Sequence, residues 1–217
     1  MELTVAATLA LATQCAPAIA PSTMLSIVSV ESDFNPLAIG VNGMPSVTVI
    51  ASSPAEAVTK ASALIAAGRS VDLGLAQINS DNLAWLGLSV ADTFDPCINL
   101  SAAARVLQDG YRRSDVATVG EQTALLTALS YYNTGHPRRG FANGYVTRVT
   151  TAAARLRPML SSVGSGMPPE PSVLATSLSP IAVPPVSPPP SWDVFGQVEP
   201  GPSFVIRASA HIPGDPQ

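Results

Sequence analysis

The stretch VSVESDFNP, residues 28–36, decides the fold of this chain and raises the first question about its function. Met24 and Ile27 lie seven and four residues before Glu31, so a helix through this segment projects the Glu31 carboxyl from its apolar face. Pro36 follows shortly afterwards and prevents the helix from continuing. The pattern therefore predicts an acid in the last turn of an apolar helix, where a charge is unexpected.

The position of Glu31 predicts a raised pKa. A helix C-terminus carries negative partial charge, and partial burial among apolar groups also disfavours an ionised carboxylate. Both effects favour the protonated form, so we expect Glu31 to keep its proton near neutral pH, as a general acid must. The alternative for such a residue is that it pairs with an arginine or caps a loop.

The composition limits the classes of function. The chain has 217 residues, of which 47% are hydrophobic and 12% charged, with a formal net charge of −4. One main domain is expected at this length. No basic cluster is present, which argues against a nucleic-acid partner, and no apolar run reaches the ~18 residues of a membrane span. No metal-ligand cluster or phosphate-binding glycine loop is visible, so we expect no cofactor.

The chain divides into a helical domain, residues 1–157, and a tail, residues 158–217. Seven of the 21 prolines precede residue 158 and 14 lie from it onward. The Pro/Ser-rich sequence of the tail favours extended, solvated chain over a packed core. The tail is either a passive spacer, which is the commoner case, or a segment whose apolar WDVF and SFVI stretches dock to a partner. In the domain, apolar residues recur at helical spacing in five stretches, and AIGVNGMPSVTVIAS has the turn and β-branched residues of a small hairpin. The helical stretches are 21–32, 53–68, 99–113, 121–135 and 145–158.

The N-terminus and the two cysteines leave alternatives open. MELTVAATLALAT is apolar enough for a short export signal but lacks a basic start, so a first core helix is slightly preferred. Cys15 and Cys97 either form one disulfide, which an exported protein would favour, or are two unrelated buried thiols.

Three later segments carry polar and aromatic side chains at the ends of elements. They are GLAQIN (74–79), SYYNTG (130–135) and GYV (144–146). Gly74 permits a tight turn, and amides and tyrosines suit a ligand that presents hydroxyls and flat apolar faces. The candidate residues are Gln77, Asn79, Tyr132, Asn133 and Tyr145.

Taken in this order, ESDFNP, GLAQIN, YYNTG and GYV resemble the lytic transglycosylases with a lysozyme-like domain, family 23 of the glycoside hydrolases. The segments CAPAIA and FDPCINL resemble the branch of that family found with type IV secretion systems. The resemblance covers roughly residues 15–157. It implies a mostly α, lysozyme-like domain with a small β-hairpin, followed by a largely disordered tail.

The resemblance also implies roles for individual residues. Glu31 matches the catalytic acid, and Ser32 matches the serine that follows it and is expected to bind substrate. Gln77 and Asn79 match the loop that lines the sugar cleft, and Tyr132 and Asn133 match a pair facing the acid. Tyr145 matches a tyrosine near the catalytic carboxyl, although FANGYV replaces the Glu-Thr pair that many relatives have before it.

The implied activity is cleavage of peptidoglycan between N-acetylmuramic acid and N-acetylglucosamine, with formation of a 1,6-anhydro sugar. The implied setting is the periplasm, where the enzyme would open the wall for a secretion or conjugation apparatus and contact its components through the tail. A lysozyme-type hydrolase, with Asp72 as a possible second carboxylate, is one alternative. A catalytically silent wall-binding module is the other.

Overall fold

The computed structural model describes residues 2–43 and 46–164, with the backbone alone for 161–164. Within these residues the fold is mostly helical, as predicted. The helices are α1 (Val5–Cys15), α2 (Pro21–Glu31), α3 (Pro54–Ala66), α4 (Leu83–Leu86), α5 (Pro96–Arg113), α6 (Val116–Val119), α7 (Glu121–Thr134), α8 (Arg139–Ala142) and α9 (Tyr145–Gly164), with 3₁₀ turns at Ser80–Asn82 and Asp92–Phe94.

Helix α2 is the central helix of the larger hydrophobic core. Its residues 23–28 are all buried, because α9 packs along one side and α1 along another. Helices α5 and α7 pack against each other and complete this core. The polar residues of this helix are serines and a threonine apart from Glu31, so the carboxyl at its last residue stands out as the one charged group.

The four strands form one antiparallel sheet in the order β2-β1-β3-β4. They are β1 (Ala38–Val41), β2 (Val47–Ile50), β3 (Val71–Leu73) and β4 (Ile78–Asn79). The predicted hairpin is β1 and β2, and β3 pairs with the other side of β1. The register puts Asp72 opposite both Gly40 and Asn79, so polar groups collect on one face of the sheet.

The N-terminal segment is a packed helix, as preferred from the sequence. Thr8 and Ala12 of α1 are buried, and α1 packs against α5 and α2. Cys15, the last residue of α1, forms a disulfide with Cys97 at the start of α5, across 82 residues of sequence. Of the two alternatives for the cysteines, the structure shows the disulfide, which joins the end of α1 to the start of α5.

The last helix is longer than predicted. The sequence suggested an end at Pro158, but α9 continues to Gly164. Pro158 and the preceding-turn residue Ala154 are both exposed, so water can satisfy the carbonyl that the proline leaves unpaired. The division of the chain at residue 158 stays a prediction, and the WDVF and SFVI segments lie outside the described residues. None of the described helices is long and apolar enough to cross a membrane.

Candidate active site

Glu31 is the last residue of α2, and an unusual turn follows it. Asp33 and Phe34 have positive φ values of 49° and 66°, which a bulky side chain such as Phe rarely adopts. Phe34 is buried in the main core, and this packing holds the turn in place. Ser32 donates a 2.5 Å hydrogen bond from its hydroxyl to the carbonyl of Leu75, which ties the turn to the GLAQIN loop.

Glu31 is a half-buried residue whose carboxyl accepts a 2.5 Å hydrogen bond at Oε1 from the hydroxyl of Tyr145. Desolvation of the carboxyl raises its pKa to about 7 against the opposing effect of this hydrogen bond. The charge of Asp72 raises the pKa further, and that of Arg148 lowers it. The sequence argument for a protonated acid at this position therefore has a physical basis in the fold.

The GLAQIN loop has a backbone that requires glycine at its first position. Gly74 has a φ of 75°, and a Cβ there would lie 2.1 Å from the carbonyl oxygen of Thr93. Three residues later, Gln77 also has a positive φ, 51°. Strained conformations of this kind persist only where surrounding contacts fix them, and here those contacts come from α5.

Asn99 of α5 supplies these contacts. Its side chain is fully buried, accepts from the backbone N–H of Ala76 at 2.7 Å and donates to the carbonyls of Leu73 and Thr93. The sequence interpretation missed this residue. The signal was present, because Asn99 lies four residues before Ala103 and eight before Leu107, on the apolar face of its helix.

The side-chain amides of Gln77 and Asn79 in this loop donate hydrogen bonds to other groups of the protein. Gln77 donates from Nε2 to the carbonyls of Ala38 and Gly74, at 3.1 and 2.8 Å. Asn79 donates from Nδ2 to Oδ1 of Asp72 at 2.7 Å, and Asn42 donates to Oδ2 of the same carboxylate at 2.9 Å. Burial nevertheless raises the pKa of Asp72.

The YYNTG segment lies at the end of α7 and contacts the GLAQIN loop. The Tyr132 hydroxyl donates to the carbonyl of Ala76 at 2.7 Å, and burial raises the pKa of this phenol well above its usual value. Asn133 is exposed and accepts a 2.8 Å hydrogen bond from the side chain of Asn143. The two residues thus connect the end of α7 to the GLAQIN loop and to the turn before α9.

These segments line a groove with a volume of about 610 Å³, within the usual range of ~300–1,000 Å³ for small-molecule sites. The predicted site residues that line it are Glu31, Gln77, Asn79, Tyr132 and Asn133, and Asp72 lines it as well.

Two residues predicted to bind substrate do not line this groove. Tyr145 is only 1% exposed, so its ring has no face open to a sugar, and its hydroxyl is bound to Glu31. Ser32 directs its hydroxyl to Leu75. Both residues hold Glu31 and the loop in this geometry, and their direct contact with a ligand stays a prediction. No group of side chains suited to a metal ion occurs in the part of the chain that the structure describes.

Comparison with known proteins identifies the family. The model of the transglycosylase SLT domain matches residues 8–154, which include every segment that builds the groove. The chain belongs to this family. No solved structure matches it significantly.

Three curated proteins show how the SLT domain of this chain relates to others. It is similar to the protein virB1 of Agrobacterium fabrum, with 43% identity over 151 residues, or 70% of this chain and 61% of that protein. The type IV secretion system protein virB1 of Brucella suis is 46% identical over 151 residues, or 67% and 63% of the two chains. The protein virB1 of Rhizobium radiobacter is 44% identical over 150 residues, or 69% and 62%. The matched part of the chain thus spans little more than three fifths of the length of these relatives.

The arrangement in this SLT domain suits proton transfer to a neutral ligand. A carboxyl with a pKa near 7 lies at a groove that is also lined by amides, tyrosines, Trp85 and the charged residues Asp72, Asp81, Asp109 and Arg113. Such a group can donate a proton and recover it at neutral pH, because neither step is strongly uphill.

Proposed function

We propose that this protein is a peptidoglycan lytic transglycosylase that cleaves the β-1,4 bond between N-acetylmuramic acid and N-acetylglucosamine. The observation that carries the proposal is the Glu31 carboxyl, which lines the groove and whose pKa of about 7 leaves it about half protonated at pH 7. The membership of the SLT family and the resemblance to proteins named virB1 support the same conclusion.

In the first step Glu31 donates its proton to the glycosidic oxygen, the bond from that oxygen to C1 of the muramoyl sugar breaks, and N-acetylglucosamine leaves with a hydroxyl. The carbonyl oxygen of the substrate's own acetamido group stabilises the positive charge at C1. In the second step the Glu31 carboxylate removes the proton from the C6 hydroxyl of the same sugar, and O6 bonds to C1. The product is a 1,6-anhydro sugar, the acid is regenerated, and no water is consumed.

Tyr145 keeps the carboxyl oriented during both steps. Its hydroxyl remains a donor throughout, because burial and the nearby Glu31 raise the pKa of the phenol well above its usual value. One oxygen of Glu31 is therefore held by the protein. Within the described residues the other oxygen, Oε2, has no protein partner in a hydrogen bond, which leaves it for the sugar.

A lysozyme-type hydrolase is the second candidate, because Asp72 lines the same groove and its charge affects Glu31. A hydrolase of this kind uses its second carboxylate as a nucleophile or as a base for water. Here both oxygens of Asp72 accept amide hydrogen bonds, from Asn79 and Asn42. This arrangement is better suited to shaping the groove than to attacking a sugar.

The setting proposed for the reaction is the periplasm, where local opening of the wall would let a type IV secretion apparatus pass. This proposal rests on the resemblance to the type IV secretion system protein virB1 of Brucella suis. We propose further that the Pro-rich segment 158–217 contacts components of that apparatus. A chain truncated after residue 164 should then digest murein normally but fail to restore secretion in a deletion strain.

Mass spectrometry of the products of purified murein tests the proposed reaction. The wild-type protein should release anhydro-muropeptides, and Glu31→Gln should release about 10²–10⁴-fold less, the usual contribution of a general acid. Asp33→Asn is the matched control, since Asp33 is exposed, two residues away, and has a positive φ that Asn tolerates. Reducing ends from the wild-type protein that disappear in Asp72→Asn would instead establish the hydrolase. Full activity of Glu31→Gln would reject catalysis by this residue.

A further inference from the structure

Trp85 is an exposed aromatic residue whose position neither core explains. It lies in α4, its side chain is 48% exposed, and it lines the same groove as Glu31.

The indole ring is fixed before any ligand arrives. Its Nε1 donates a 3.0 Å hydrogen bond to Oδ1 of Asn82, one turn earlier in the chain. The guanidinium carbon of Arg105 lies 5.5 Å from the ring centroid, and the same guanidinium donates to the backbone carbonyl of Leu86 at 2.7 Å. Helix α5 thereby holds both the ring and the backbone of α4, so a ligand would meet a preorganised surface.

The part of Trp85 that is available to a ligand is a flat apolar face of the indole ring. Its only polar atom, Nε1, is already used by Asn82, and that residue and Asp81 also line the groove. The nearby carboxylate of Asp109 is neutralised by Arg113 at 2.6 Å and Arg112 at 3.3 Å. The ligand that fits has one apolar face and a rim of hydroxyls or amides, which is the description of an N-acetylhexosamine ring.

We propose that Trp85 forms a sugar-binding subsite of the groove, on which one pyranose ring of an N-acetylglucosamine-containing glycan stacks. The inference rests on the proposed function, since it names a further part of the glycan that the groove holds. The subsite binds a ring without taking part in the proton transfer at Glu31.

The experiment uses the fluorescence of the full-length protein. The chain has two tryptophans, Trp85 and Trp192, so Trp192→Phe leaves Trp85 as the only indole. The protein carrying Trp192→Phe and Glu31→Gln is titrated with chitotetraose, an oligomer of N-acetylglucosamine. We expect a saturable blue shift of the emission, with the same dissociation constant as isothermal titration calorimetry gives.

Three variants in the Glu31→Gln protein test the ring directly. Trp85→Ala should weaken binding of chitotetraose about tenfold, whereas Trp85→Phe, which keeps a flat ring, should weaken it less than about threefold. Phe141→Ala is the matched control, because Phe141 is 43% exposed and is not among the residues lining the groove. Because Trp85 is only half buried, Trp85→Ala should fold with little loss of thermal stability.

The inference is overturned if chitotetraose does not bind, if it binds without changing the emission, or if Trp85→Ala binds as well as its parent. Rejection of the subsite can be distinguished from rejection of the proposed function. Binding that depends on Trp85, together with no cleavage of murein by the wild-type protein, would retain the subsite and reject the enzyme. Cleavage of murein by the wild-type protein, together with chitotetraose binding that Trp85→Ala leaves unchanged, would retain the enzyme and reject the subsite.

Discussion

The hydroxyl of Tyr145 donates a 2.5 Å hydrogen bond to Oε1 of Glu31, across 114 residues of sequence. The relationship joins the first residue of α9 to the last residue of α2, the two helices that pack along each other in the main core. Burial raises the pKa of Glu31, and this bond opposes the rise. Tyr145 therefore adjusts the proton affinity of the acid and fixes its orientation.

Tyr145→Phe should shift the pH dependence of murein digestion. Without the phenol, the ionised form of Glu31 loses a hydrogen bond, so the pKa of the carboxyl rises above its present value of about 7. A hydrogen bond to a charged group contributes about 1.5–3 kcal/mol, so a displacement of about one pH unit or more is expected in the alkaline limb of the rate profile. The maximal rate should also fall, because the carboxyl is no longer oriented.

Tyr111→Phe is the control for this variant, since Tyr111 is partly buried and lies away from Glu31, beside a separate apolar pocket. Its pH profile should match that of the wild-type protein. A Tyr145→Phe profile that differs only in height would show that the phenol orients the acid without affecting its pKa.

Glu31→Gln should change how stability depends on pH. The pKa of Glu31 is raised from 4.5 to about 7 in the folded protein, so its contribution to stability is fully present below pH 4.5 and is lost as the pH rises to about 7. The loss amounts to about 3 kcal/mol, because one pKa unit corresponds to ~1.4 kcal/mol. Glutamine cannot ionise, so the variant should gain stability relative to the wild-type protein between pH 5 and 8.

Thermal unfolding at several pH values measures this difference. The melting temperature of Glu31→Gln minus that of the wild-type protein should increase with pH, by ~2–4 °C for each kcal/mol. A difference that stays constant from pH 5 to 8 would mean that Glu31 has an ordinary pKa in the folded state.

Asn99→Ala should destabilise the protein and impair the groove together. The substitution leaves the backbone N–H of Ala76 and the carbonyls of Leu73 and Thr93 without their buried partner. Each unsatisfied buried group costs ~1–3 kcal/mol, so a loss of at least 3 kcal/mol is expected in denaturant unfolding. Gln108→Ala, a partly exposed position on the same helix, should change stability by less than ~1 kcal/mol.

The disulfide should contribute to stability and leave the chemistry unchanged. Closing a loop of 82 residues stabilises a protein by about 4–5 kcal/mol in the chain-entropy model. Replacement of Cys15 and Cys97 by serine should therefore lower the denaturant midpoint markedly, while murein digestion at low temperature persists. An unchanged midpoint would contradict a structural role for the bridge.

The sequence predicted those features that depend on local patterns. The apolar stripe before Glu31 placed the acid on the correct face of its helix, and the turn residues of 38–52 identified the β1–β2 hairpin. Strands β3 and β4 have three and two residues, too few to show a period, and they exist because β1 offers a second edge.

Other features depend on contacts between distant segments, which one sequence does not display. Ser32 was assigned to the ligand because nothing local shows that its hydroxyl meets the carbonyl of Leu75, and only the family resemblance put Tyr145 near the carboxyl of Glu31. No local sequence pattern distinguishes Trp85, and its proposed role follows from its contact with Arg105 and from the groove that it lines. Asn99 is the intermediate case, since its position on an apolar helix face gave the same signal as Glu31.

Carboxyl ¹³C NMR of protein labelled at glutamate tests the central claim most directly, because Glu31→Gln identifies the signal that belongs to position 31. The account predicts that this signal titrates with a pKa near 7, well above the ordinary value of 4.5. A midpoint near pH 4.5 would show that the carboxyl is ionised at neutral pH, and it would contradict the role of Glu31 as the proton donor.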